Sequence, residues 1–165
     1  MADEQDNTIQ KQPPHIHSAE EIKEVKDELK QAIHRSHEVL ARATTVFPFT
    51  LFPDTVIIDR AKLTITHRSF VQTADLMSIR IEDILNVTAN VGPLFGSLSI
   101  VSRVLNSEKP FVIKFLWRED ALKLKRVLQG YVIAIQKEIN CGPLETKELA
   151  TMLNELGKDD HPEAR

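Results

Sequence analysis

One cysteine, one tryptophan, one tyrosine and five glycines in 165 residues exclude several kinds of protein at the outset. A lone Cys141 cannot build an internal disulfide framework, and it fits a reducing compartment. The glycines form no phosphate-cradling signature: Gly92 and Gly96 read as a turn pair, and neither a Walker nor a dinucleotide motif is present. No run approaches the roughly 20 apolar residues needed to span a bilayer as a helix. Met1 to Lys11 is acidic and polar, which is not the pattern of a secretory signal. A strong basic excess is also missing. With 21 Lys and Arg against 24 Asp and Glu the formal net charge is −3, so a nucleic-acid partner is not expected.

What is present is an ordinary globular mixture, 42% apolar and 27% charged. The length suits one domain with tails, large enough to bury a core without staples. Charge is unevenly spread. Residues 1–47 carry six basic against nine acidic side chains, 48–140 carry twelve against nine, and 141–165 carry three against six. A mildly basic middle lies between two acidic ends. These limits suggest a cytoplasmic protein.

Along the chain, residues 1–17 read as a disordered leader, with Pro13 and Pro14 opposing helix and sheet alike. Ser18 and Glu21 form a capping-box signature that opens an N-terminal amphipathic helix over 18–46. Its stripe is Ile22, Val25, Leu29, Ile33, Leu40 and Phe47, with helical character running to about Thr44. Asp27 and Lys30 are spaced to help it slightly, whereas Glu21 and Lys26 are not. Pro48 and Pro53 open a β-region. Short strands follow at Thr55–Asp59, Lys62–Arg68, Met77–Glu82, Val87–Val91, Leu98–Val104 and Phe111–Trp117, making six or seven antiparallel strands. Alternation places Leu63, Ile65 and His67 inward, and likewise Phe111, Ile113, Phe115 and Trp117. The period then changes to a helix over 119–139 with Ala121, Leu124, Leu128, Tyr131, Ile135 and Ile139 as its stripe. Lys123, Lys125, Arg126 and Lys137 form its solvated flank. Residues 141–165 supply a short amphipathic helix capped by Gly157, then a loose tail.

Three segments carry a family resemblance. They are Ser78-Ile79-Arg80-Ile81-Glu82-Asp83-Ile84 with Val87, Gly96-Ser97-Leu98-Ser99-Ile100, and Lys109-Pro110-Phe111-Val112-Ile113 leading into Ala121. In this order, meandering strands before one long apolar helix, residues 47–140 resemble a pleckstrin-homology-like domain of the bacterial type, whose members mostly lack an assigned function. The resemblance implies an α+β fold: a partly open β-barrel of two antiparallel sheets capped by a C-terminal helix. Trp117 precedes that helix instead of lying within it, a departure from the eukaryotic lipid-binding branch.

Two surfaces stand out. Phosphoinositide-binding members of this fold use basic residues of the first strands, which here implies Arg60, Lys62 and Arg68, with Arg80 alongside Arg68 from the next strand. The bland alternative is a solvated face of cross-strand ion pairs, with Asp59 opposing any anion. Phe47, Phe49 and Phe52, with Leu51, are the second: an interaction surface, a membrane-dipping loop, or packing at the barrel's open edge. The pairs His15 and His17, and His34 and His37, have no third ligand nearby, and Cys141 has no adjacent base, so neither a metal nor a nucleophile is implied. His67 reads as a strand-end residue bonded to backbone. No cofactor or catalytic constellation follows.

The expected function is therefore non-enzymatic binding or scaffolding, through a protein partner or a second copy of the chain. The alternative is peripheral association with anionic membrane lipid at the inner face of the membrane.

Overall fold

The computed structural model describes residues 19–49, 51–68, 74–104 and 110–158. The leader, the capping Ser18, His15 and His17 lie outside the described residues, as does the end of the tail. The chain divides into two units, Met1–Ile33 and His34–Arg165. Among the described residues no helix is long and apolar enough to cross a membrane.

Helix α1, Ala19–Ser36, carries Glu20 and Glu21 in its first turn and His34 and Arg35 in its last, the polarity that suits the helix dipole. Asp27 and Lys30 pair at 3.3 Å. The helix stops earlier than its apolar stripe suggests. Ala41–Thr44 is a strand, β1, and it pairs with β2, Thr55–Ile58, from Ala41 opposite Ile58 to Thr44 opposite Thr55. Leu40, Ala41 and Ala43 are buried by strand alternation. Ladder bonds and burial there outweigh the helical propensity of an Ala-Arg-Ala segment.

The remaining strands are β3 (Lys62–Arg68), β4 (Ala74–Arg80), β5 (Ile84–Val91), β6 (Phe95–Ser102) and β7 (Phe111–Trp117). They form two antiparallel sheets, β1-β2-β3-β4 and β5-β6-β7, so the fold is α+β as expected. A single 3₁₀ turn, Ile81–Asp83, carries the chain between the sheets and keeps Ile81 in the core. The sheets do not close into a continuous ladder, although Val46 N–H, just past β1, donates to the Phe115 carbonyl of β7 at 2.8 Å.

Inward residues of both sheets, including Val56, Ile58, Leu63, Ile79, Leu98 and Ile100, meet the buried face of α2, Arg118–Gln136. That face is Ala121, Leu124, Val127, Leu128, Tyr131 and Ala134. Two expectations about it fail. Ile135 and Ile139 are largely exposed, since α2 ends before Ile139 can join its stripe. Lys125 is buried, one turn from Ala121 on the packed side.

Helix α3, Thr146–Leu156, packs back on α2 through Leu149 and Leu153. Its C-cap, Gly157, has an ordinary negative φ of −90°, so no left-handed backbone requires glycine. Close approach does: a Cβ on Gly157 would stand 1.9 Å from the Arg126 carbonyl oxygen. Gly130 does the same from the other side, where a Cβ would lie 2.0 Å from the Leu153 carbonyl oxygen.

Candidate functional site

The aromatic segment between β1 and β2 is fastened at its ends. Thr45 N–H donates to the Asp54 carbonyl at 2.9 Å, and Asp54 N–H donates to Thr45 Oγ1 at 2.8 Å. His67 Nδ1 lies 2.7 Å from Asp54 Oδ1, so its partner is a carboxylate and not backbone, and the ring is exposed at the strand end instead of buried. Between these ties Phe49 stacks on Phe115 with ring centroids 5.6 Å apart and meets Phe95 edge-on at 5.0 Å. Phe95 in turn lies 5.2 Å from Trp117, directly opposite it in the β6–β7 register. Four rings thus run in sequence across the outer side of the three-stranded sheet. Phe47, Leu51 and Leu94 flank them, each more than 60% exposed, while Trp117 is 49% exposed. Phe52 is half-buried. A shallow cavity of about 340 Å³ beside Trp117 is lined by Pro93, Leu94 and the first turn of α2.

Phe115 and Trp117 reach this face because β7 bulges. Gly96 pairs with Leu116 and Leu98 with Ile113, so Lys114 and Phe115 together oppose Ser97. Phe115 takes φ 61°, an unusual backbone for a bulky residue. The extra residue inverts the alternation: Leu116 turns into the core, fully buried, and the two aromatics turn out. Sequence alternation assigned both inward. Nothing local signals the bulge, because no glycine or asparagine marks it.

The four basic residues do not gather. Arg60 is consumed structurally, its side chain 11% exposed. Nε donates to Glu38 at 2.7 Å, and the terminal nitrogens donate to the carbonyls of Leu144 at 2.6 Å and Cys141 at 3.3 Å. Asp59, buried in the same turn, accepts from the N–H groups of Ala61 and Lys62 at 2.8 and 2.7 Å. Lys62 stands opposite Arg80 in the register, and Arg68 stands opposite Ala74 at the other end of β3. Six residues of strand, roughly 20 Å, separate them. Arg80 therefore lies beside Lys62 and not alongside Arg68, and its guanidinium meets Glu82 at 3.2 Å.

Arg60, Lys62 and Arg80 do share a cleft of about 600 Å³ with Tyr131, Ile135, Ile139 and Cys141. Tyr131 donates its hydroxyl to the Arg60 carbonyl at 2.7 Å, and burial pushes its pKa up. Burial likewise raises the Cys141 thiol, which keeps it protonated at neutral pH and poorly nucleophilic. Among the described residues no three His, Cys, Asp or Glu side chains converge in a metal-holding group.

The chain was compared with protein-family models, with curated proteins and with solved structures. Nothing matches in any of the three.

Proposed function

We propose that the chain is a pleckstrin-homology-like, non-enzymatic interaction module whose working surface is the aromatic face built on Phe49. The four-plus-three strand order with a helix directly after β7 supports the fold reading. The observation that carries the functional reading is the line of four rings with Phe47, Leu51 and Leu94 exposed around it. Aromatic side chains offer large contact area at low entropic cost, which is why they concentrate at protein contacts. A partner protein contacting this face would bury it.

Recruitment to an anionic membrane is the weaker reading. Its basic surface is reduced to Lys62 and Arg80, and Glu82 partly offsets the second.

The test is photo-crosslinking in the cell that makes the protein, with a photoreactive phenylalanine at Phe47 or, as control, at the equally exposed Leu76. A discrete protein adduct from position 47 alone, lost with Phe49→Ser, is the expected result. Equal adducts from both positions, or none from 47, would sink the proposal. Trp117 is the chain's single tryptophan, so its emission reports directly on this face. A blue shift with vesicles and no protein adduct would replace the protein partner by a membrane.

A further inference from the structure

Helix α1 presents Ile22, Val25, Leu29 and Ile33 along one side, and each is 46–55% exposed. Set in a heptad frame, Ile22 and Leu29 take the a positions, Val25 and Ala32 take d, and Ile33 at e widens the seam. Glu21 and Glu28 then occupy g, and Lys26 occupies e. Asp27 and Lys30, which pair with each other at 3.3 Å, fall at f and b, on the side away from the seam.

Glu21 and Lys26 are five residues apart, a spacing that does not bring side chains together within one helix. It is the spacing that brings g of one helix against e of its neighbour in a parallel coiled coil. We propose that α1 pairs in parallel and in register with α1 of a second copy of this chain, with Glu21 of each helix facing Lys26 of the other. The charges select this arrangement over the antiparallel one. Antiparallel pairing that keeps Ile22 and Val25 against Ala32 and Leu29 gains two Glu21–Arg35 contacts at its ends but sets Lys26 against Lys26 and Glu28 against Glu28 at the centre, so its two attractions are offset by two repulsions. Parallel pairing makes two Glu–Lys contacts and sets Glu28 against Ile33, where its methylenes lie over apolar surface. A membrane is a poorer occupant of this face. The helix carries five acidic and four basic residues, whereas surface-binding helices are rich in Lys and Arg on the polar side.

The inference deepens the self-association expected from the sequence and does not rest on the aromatic face. At 18 residues the helix is about 27 Å long, so the dimer is weak and concentration-dependent.

The experiment is sedimentation equilibrium of the full chain over a wide concentration range. Wild type should follow a monomer–dimer equilibrium, and Leu29→Asp should remain monomeric with unchanged far-UV circular dichroism. Glu21→Lys or Lys26→Glu alone should each weaken the dimer about tenfold, as two attractive contacts become repulsive. The double variant E21K/K26E should restore it. Restoration distinguishes the parallel pair, because in an antiparallel pair the E21K change sets a second positive charge against Arg35. A wild-type chain that stays monomeric throughout, or a double variant as weak as the singles, overturns the proposal. So does loss of the dimer in Phe49→Ser, which would move the contact to the aromatic face, whereas a dimer that survives Phe49→Ser and is lost in Leu29→Asp supports the helix contact.

Discussion

Glu38 shows how one residue ties distant parts of the chain. It accepts from the Thr146 hydroxyl at the start of α3 and from Arg60 in the β2–β3 turn. Those two partners, Thr146 foremost, hold its carboxyl below the ordinary value of 4.5. A carboxyl with a lowered pKa in the folded state binds its proton less readily there than in the unfolded chain. Its contribution to stability is therefore complete above about pH 4.5 and is lost as pH falls through the folded-state value. Glu38→Gln should thus unfold at lower urea than wild type at neutral pH, and the gap should narrow steadily below pH 4.5. Urea midpoints across that range check this, and a gap independent of pH would show that the carboxylate charge contributes nothing. Arg60 explains why a basic residue in a candidate phosphate-binding turn can have no ligand role. Its guanidinium already donates to two part-buried carbonyls, and the turn around it is organised by an acid, Asp59.

At the scale of elements, the contact of α2 with α3 depends on two glycines that permit backbone to meet backbone. Gly157→Ala forces a methyl against the Arg126 carbonyl, where no flexible side chain can yield. The expected cost is about 1–3 kcal/mol or more. Gly92→Ala is the control, because its Cβ would meet only the Phe95 carbonyl oxygen at an ordinary 3.4 Å, and a change within about 0.5 kcal/mol is expected. Chemical denaturation of the two variants measures the difference. Equal stability would mean that α3 can slide on α2 without loss. The bulge in β7 is a second element-level device. Phe115 adopts a backbone that costs about 1–2 kcal/mol for an L residue, and in exchange Leu116 is buried while Phe115 stacks on Phe49.

At the scale of the whole molecule, every buried core residue among those described lies between Leu40 and Leu153. Removing residues 1–33 deletes none of them and leaves β1 and Glu38 in place. That shortened chain should keep the urea midpoint of the full protein. Removing residues 1–44 deletes β1 with Leu40, Ala41 and Ala43, and it strips Arg60 of Glu38. It should unfold or aggregate, because β2 then becomes an unpaired edge. Thermal melts of both truncations distinguish a boundary at residue 33 from one at 44, and equal melts would contradict the placement of β1.

Much of this architecture was legible in residue order alone, where local periodicity and burial agree. The hairpin of β2 and β3 around Asp59, the inward Leu63, Ile65, Ile79, Leu98 and Ile100, and the stripe of α2 from Ala121 to Tyr131 follow from alternation by two and by 3.6. The apolar character of Phe47 and Phe49 is legible too, because prolines leave such a segment no regular element to join, but whether the segment packs or stays exposed is not. Tertiary structure decided the rest. Ala41–Thr44 became a strand because β2, beyond the proline-bearing segment 45–54, offered a ladder partner. Phe115 and Trp117 turned outward because one extra residue in β7 reverses a period of two, which no local pattern records. Arg80 went to Lys62 and not to Arg68, since strand register is a property of two strands together. Periodicity specifies which side of an element is apolar. Pairing, register and close approach belong to contacts between segments distant in sequence, and only the folded chain fixes them.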